Sequence, residues 1–199
     1  MFVALEGIDG SGKTTVSSRL RERLENDGIR VFLTHEPTFS VDSISGKLVS
    51  QRDPESTLKL FFMFTEDRYR HQSEISEKLD QGYLVLCDRY IYSSFAYQGP
   101  LLEGIFGTPE RVVTWMSEVS EIIKVRPDIN VYLDISADTA IKRIWSRRSI
   151  TGFEDIQYLD RVRSYYAGVL RKHLITINGE DPLDRVVDEI YGLIRPWSQ

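Results

Sequence analysis

Short apolar runs alternate along the chain with longer stretches in which apolar residues recur every three or four positions. The runs at 2–6, 31–34, 83–87, 129–133 and 174–177 are apolar or β-branched almost throughout, the pattern of parallel strands covered on both faces. Between them the spacing predicts helices. Val16, Leu20 and Leu24 mark the first, which Gly28 ends. Asp53 and Pro54 open a long one that runs to Gly82, and further helical patterns cover 109–124, 137–147, 155–172 and 182–194. This alternation predicts an α/β fold: an open, mostly parallel sheet of about five strands with helices on both faces. Ligands of such sheets bind beyond the carboxyl ends of the strands, so chemistry is expected just after each strand.

Composition narrows the classes. A chain of 199 residues suits one domain, and no repeat, linker or low-complexity run divides it, so 1–199 reads as a single unit. The net charge of -5 argues against duplex nucleic acid as a partner, so any basic site for an anion must be local. Cys87, the only cysteine, sits inside "YLVLCD", which excludes a disulfide framework and suits a buried strand residue in a reducing compartment. No apolar stretch reaches membrane-spanning length and "MFVALEG" carries no charged leader, so a cytoplasmic protein free of membrane is expected.

Gly7, Ile8, Asp9, Gly10, Ser11, Gly12, Lys13 and Thr14 match G-x-x-x-x-G-K-[ST], directly after a strand and before a helix. That context identifies a P-loop. Its glycines let backbone N–H groups turn toward phosphate, and the helix N-terminus adds its positive dipole end. Lys13 would reach the β- and γ-phosphates of a nucleoside triphosphate, and the Thr14 hydroxyl would ligate Mg²⁺. Thr15 continues the same loop.

The receiver of the phosphate is the harder problem. An Asn-Lys-x-Asp guanine signature is absent, which disfavours a regulatory GTP switch. In "LVLCDRYIYSSFAYQG", residues 84–99, Asp88 ends a strand where a carboxylate can hold a metal-bound water, and Arg89 follows where a guanidinium can clamp an acceptor phosphate. The same two residues would also suit an ion pair that fixes a loop. In "FFMFTEDRYRH", residues 61–71, Phe64 and Arg68 are four apart and share a helix face. Ring and guanidinium suit a flat, carbonyl-bearing base, although alone they fit a core residue and a solvated charge equally well.

Together "GIDGSGKTT", "HEPT", the Phe64–Arg68 spacing, "DRYIYSSFAYQG" and a later arginine-rich stretch resemble thymidylate kinases in type and order over nearly the whole chain. The resemblance implies transfer of the ATP γ-phosphate to dTMP, giving dTDP and ADP, by a Mg²⁺-dependent homodimer. It implies Arg89 on the dTMP phosphate, Phe64 stacked on thymine and Arg68 donating to the 4-carbonyl. It also implies Ser94 at a thymine-contacting position, Tyr97 under the deoxyribose with Gln98 beside it as a further substrate-binding residue, and Asp9 and Glu36 near sugar and metal, with Thr14 and Asp88 serving the metal. His35 and Glu66 depart from the family's pattern.

A phosphate monoester needs no base to accept a phosphoryl group, because its second pKa of about 6 leaves it a dianion at neutral pH. The site residues are mostly arginines, an aromatic and an amide, which fits such an acceptor. A deoxynucleoside kinase is the alternative; it would need a carboxylate base on a sugar hydroxyl, a role open to Glu36. Two polyanions brought together require cations over the transferring group. Some thymidylate kinases carry an arginine inside the P-loop, where this chain has Gly10. "KRIWSRRSITGFED", residues 142–155, resembles the lid of members without it. The resemblance implies a lid over roughly 143–155, with Arg147 and Arg148 as catalytic cations and Arg143 binding ATP. Which of these arginines touches the transferring phosphate and which stacks on adenine is left open by the sequence, and Arg161 and Arg163 on the next helix are weaker candidates. The apolar stretch "RVVTWMSEVSEII" fits either core or interface.

Overall fold

A computed structural model describes residues 1–39, 51–145 and 156–195. Five strands form one all-parallel sheet: β1 (Phe2–Glu6), β2 (Val31–His35), β3 (Leu84–Asp88), β4 (Ile129–Asp134) and β5 (Ile175–Asn178), in the order β2-β3-β1-β4-β5. The described helices are α1 (Lys13–Asn26), α2 (Pro54–Asp80), α3 (Ile91–Phe106), α4 (Pro109–Val119), α5 (Ala137–Trp145), α6 (Ile156–Ala167) and α7 (Leu183–Ile194).

Alternation along β1 explains the layers. Phe2 and Ala4 face one side of the sheet, and Val3 and Leu5 the other. The first face is buried by apolar residues of α2 to α6, among them Phe61, Ile75, Phe95, Met116 and Tyr166. The second is covered by α1 and α7, through Val16, Leu20, Leu24, Val186 and Ile190. The central strands β1, β3 and β4 are buried nearly throughout. The outer strands β2 and β5 are not, because each pairs on one side only. Parallel pairing sets Leu5 and His35 beside Asp88, so the carboxyl ends of β1, β2 and β3 share one rim. The strand order reverses around β1, and open sheets of this kind place ligands at such a rim.

Most elements lie within a few residues of their sequence reading. Asp53 caps α2 by accepting the Ser56 N–H at 3.0 Å, and Pro54 occupies the first turn, where no N–H is needed. The stretch expected as helix over 109–124 ends at Val119 and closes with a 3₁₀ turn. The element absent from the sequence reading is α3. It holds Gly99 and Pro100 in its interior and buries nine of its 16 residues, so it has no polar stripe to betray a helix. Packing against α2, α4 and α6 compensates for poor helix formers.

Gly99 of α3 packs against α6. A Cβ there would lie 2.3 Å from the Tyr165 ring. Gly99→Ala is therefore expected to destabilise the protein by about 1–3 kcal/mol, although the same change in an exposed helix stabilises by about 1 kcal/mol. The urea midpoint of the purified variant decides the sign.

Candidate active site

The loop from Gly7 to Gly12 turns off β1 and delivers its chain into the N-terminus of α1. Gly10 has φ of +79°, and a Cβ at this position would stand 2.6 Å from the Ala140 carbonyl of α5. No larger residue fits, so the loop cannot carry an arginine there. Lys13 is buried, and its ammonium donates to the carbonyls of Gly7 and Ile8, both at 3.0 Å, and to Ser11 Oγ at 3.3 Å. Burial, reinforced by the nearby Arg89 charge, pushes the ammonium down to about 8. At the mouth of the loop Thr14 Oγ1 donates to Asp88 Oδ2 at 2.6 Å. A hydroxyl and a carboxylate oxygen from two elements form a donor set that fits a hard, mostly hydrated cation. Thr15 lies exposed one residue further on.

A cleft of about 210 Å³ opens beside the loop, lined by Gly12, Thr15, Arg143, Gly179, Asp181 and Leu183 among others. Arg143 spans its edge, donating to the Gly179 carbonyl at 3.0 Å and reaching the Gly10 carbonyl at 3.5 Å. It therefore joins the P-loop to the turn after β5.

Arg89 leaves β3 in the left-handed region, with φ of 70°, which an arginine adopts only when its surroundings hold it there. The holding group is Glu6, absent from the sequence reading of the site. Fully buried at the end of β1, its carboxylate accepts the N–H groups of Tyr90 at 3.1 Å and Tyr92 at 3.2 Å, and the hydroxyls of Ser93 and Tyr166. It thereby also supplies α3 with the N-terminal acceptor its own residues lack. Burial raises this carboxyl group, against the lowering influence of Ser93, Arg89 and Arg68. The signal in the sequence was a lone carboxylate ending an otherwise apolar central strand.

The Arg89 guanidinium pairs with Asp9, donates to the Gly7 carbonyl at 3.2 Å and lies 5.1 Å from the centre of the Tyr97 ring. Tyr97 accepts the Asp9 N–H at 2.7 Å through its hydroxyl, and its own carbonyl accepts from Tyr158 at 2.6 Å. Asp9, Arg89 and Tyr97 thus form one group against the P-loop.

A second group lies further along α2 and α3. Arg68 is buried. Its Nε donates to Glu36 at 2.6 Å, and its Nη2 donates to the Tyr90 carbonyl and to Ser94 Oγ, each at 3.1 Å. Its Nη1 and the Oε1 of Gln98 are buried without a hydrogen-bond partner among the described residues. Ser94 and Gln98 are one turn apart on α3 and share a face. Phe64 is half-buried one turn before Arg68, its ring stacked on Phe39 with centres 6.1 Å apart. Both Glu36 oxygens are engaged, the second by His71 Nδ1 at 3.1 Å.

Other charged residues divide. Arg163 pairs bidentately with Asp134, at 2.7 and 3.1 Å, and Arg161 donates to the Pro100 carbonyl, so both brace α6. Glu66 forms an exposed pair with Arg70 one turn away, and His35 is exposed at the end of β2. Arg147, Arg148 and most of the expected lid lie outside the described residues.

A family model described as thymidylate kinase matches residues 5–190. Proteins named probable thymidylate kinase are similar over almost the whole chain. That of Thermoplasma volcanium is 41% identical, over 96% of this chain and 95% of its own. That of Thermoplasma acidophilum is 42% identical, over 98% and 95%. The Archaeoglobus fulgidus protein is 32% identical, over 99% and 96%.

The Lys13 environment generates a test. Between about pH 8 and the ordinary lysine range this side chain is largely neutral in the free protein, and a bound polyanion favours its charged form. Binding a nucleoside triphosphate at pH 8.5 should therefore take up protons, and affinity should fall as pH climbs further. Calorimetric titration in two buffers of different ionisation enthalpy measures the uptake. Lys13→Met should abolish it.

Proposed function

The chain belongs to the thymidylate kinase family, and from that premise we propose how its residues divide the work of moving a phosphate from ATP to dTMP. The carrying observation is the pair of unpartnered buried atoms, a guanidinium donor on Arg68 and an amide acceptor on Gln98. A thymine edge offers their complements, a 4-carbonyl and an N3–H. Left empty, each atom bears an unpaid desolvation cost that the matching base would relieve. Phe64 supplies the stacking face for that base, and Ser94 fixes the guanidinium plane.

Arg89 receives the dTMP phosphate, exchanging its contacts with Asp9 and the Gly7 carbonyl for phosphate oxygens. Tyr97 underlies the deoxyribose. On the donor side the N–H groups of residues 7–15 and Lys13 hold the ATP phosphates, while the cleft at Arg143, Gly179 and Leu183 takes the adenine. Thr14 and Asp88 would hold Mg²⁺, which would supply charge neutralisation at the phosphates when bound. An oxygen of the dTMP phosphate forms the new P–O bond to the γ-phosphorus. The bond from that phosphorus to the β-phosphate bridging oxygen breaks, and ADP departs. Arg147 and Arg148, in the lid over 143–155, supply the cations that Gly10 cannot. Glu36, with both oxygens engaged by Arg68 and His71, is ill placed as a base for a sugar hydroxyl, which argues against the nucleoside kinase alternative.

We place this single-domain enzyme in the cytoplasm, as a homodimer. Support for the dimer is the aromatic face on α2 and α4, where half-exposed Phe62 meets Trp115 edge-on.

An ADP-release assay with dTMP and thymidine side by side tests the assignment. Turnover is expected with dTMP alone, and efficient use of thymidine would overturn the acceptor reading. Arg89→Ala should weaken dTMP binding by about 2 kcal/mol or more while leaving thymidine binding nearly unchanged, as calorimetry can show.

Tyr97 allows a separate check. Tyr97→Phe should keep the preference for dTMP over its ribonucleotide, because the ring remains, yet lower kcat, because the Asp9 N–H loses its acceptor. Tyr97→Ala should relax the preference by about 1–3 kcal/mol. The kcat/KM ratios for the two nucleotides discriminate these outcomes.

A further inference from the structure

Behind Arg68 lies a buried polar chain that includes two residues, Thr34 and His71, to which neither the sequence motifs nor the phosphate chemistry assigns a role. Thr34 on β2, His71 on α2, Glu36 after β2 and Arg68 on α2 are linked in that order. Thr34 Oγ1 lies 2.8 Å from His71 Nε2, His71 Nδ1 lies 3.1 Å from Glu36 Oε1, and Glu36 Oε2 lies 2.6 Å from Arg68 Nε. The His71 and Glu36 side chains are 1% and 3% exposed, so water does not compete for these contacts.

The chemistry of each atom sets the direction of the chain. A carboxylate paired to a guanidinium only accepts, so the ring nitrogen facing it, Nδ1, must carry the hydrogen. In the neutral ring Nε2 is then an acceptor, and the Thr34 hydroxyl donates to it. The imidazole is therefore held in one orientation, with Nδ1–H toward Glu36. Glu36 has one oxygen anchored to His71 and only the other free to meet Arg68 Nε. Arg68 is held at Nε by that oxygen and at Nη2 by the Tyr90 carbonyl and Ser94, with the Tyr90 ring 5.3 Å below. A planar guanidinium fixed at two nitrogens has its third, Nη1, aimed by geometry alone.

We propose that His71 is a positioning residue for acceptor recognition: through Glu36 it fixes the plane in which Arg68 presents Nη1 to the nucleobase. The inference rests on the reading of Arg68 as the reader of the base carbonyl. His71 touches neither nucleotide. Its effect belongs to acceptor affinity, not to the donor or to the transfer step. The imidazole is the suitable group because it is rigid: its Nδ1–H holds one Glu36 oxygen that would otherwise be free to rotate.

Two near-isosteres separate this role from simple packing. The amide N–H of Asn can take the place of ring Nδ1–H, and the amide group of Gln the place of ring Nε2, its oxygen accepting from the Thr34 hydroxyl. His71→Asn keeps the contact to Glu36 and loses Thr34, whereas His71→Gln does the reverse. Steady-state kinetics on the full chain, with dTMP and ATP varied separately, is the measurement. The expected result is a dTMP KM raised about tenfold in His71→Gln, within about twofold of wild type in His71→Asn, and an unchanged ATP KM in both. Equal increases in the two variants, or none in His71→Gln, overturn the inference. Should His71→Gln not fold, His71→Leu, which also loses the contact to Glu36 at similar volume, takes its place: a dTMP KM raised about tenfold at unchanged ATP KM supports the relay, and an unmoved dTMP KM overturns it. Arg68→Lys, run in parallel, tests the underlying reading. If it leaves the dTMP KM unmoved, Arg68 does not read the base; if it raises KM while His71→Gln does not, only the relay fails.

Discussion

The site depends on a carboxylate buried at the end of the central strand. Glu6 stands where solvation is lost, and an ionised carboxylate in such a place survives only when every lone pair is used. Two backbone N–H groups and two hydroxyls meet that demand. In doing so they bring the end of β1, the turn after β3, the start of α3 and the end of α6 to a single point. The left-handed backbone of Arg89 is a product of this convergence. Removing the carboxylate would orphan two buried donors, and the turn that presents Arg89 would lose its reason to stay strained.

Around that anchor the cations of the site are held on acceptors that a phosphate can replace. Lys13 rests on the Gly7 and Ile8 carbonyls, and Arg89 on Asp9 and the Gly7 carbonyl. These contacts keep buried charges satisfied while leaving them within reach of the same small volume. Arg68 is different. Its pair with Glu36 is 3% exposed on both sides, and its remaining contacts leave one nitrogen over. A charge held this firmly suits recognition of a neutral base by shape and hydrogen bonding. A charge held on exchangeable partners suits capture of a dianion.

Close contact also decides where cations cannot stand. The carbonyl of Ala140 on α5 abuts Gly10 and leaves no room for a side chain in the P-loop. The helix that precludes an arginine there carries Arg143 on its last turn, beside the same loop. Excluding a charge at Gly10 and supplying one from α5 are two results of one packing arrangement.

The alternating pattern of apolar runs and helical spacings was enough to establish the α/β architecture, because strands buried on both faces and helices with one apolar stripe leave different periodicities. The P-loop was equally legible: its glycines, lysine and threonine are contiguous, and its chemistry is local. Phe64 and Arg68 shared a face by helical spacing alone. What the sequence did not disclose depends on residues far apart in the chain. Helix α3 escaped notice because it is buried on most sides and its N-terminal acceptor, Glu6, lies more than 80 residues earlier. The exposure of β2 and β5 follows from their place at the edges of the sheet, which composition does not report. The engagement of both Glu36 oxygens, and the spare atoms of Arg68 and Gln98, arise only when β2, α2 and α3 meet. Local periodicity is written into a sequence because each residue there interacts with near neighbours. Hydrogen-bond satisfaction is not, because the partner of a buried polar atom is chosen by the packing of the whole chain.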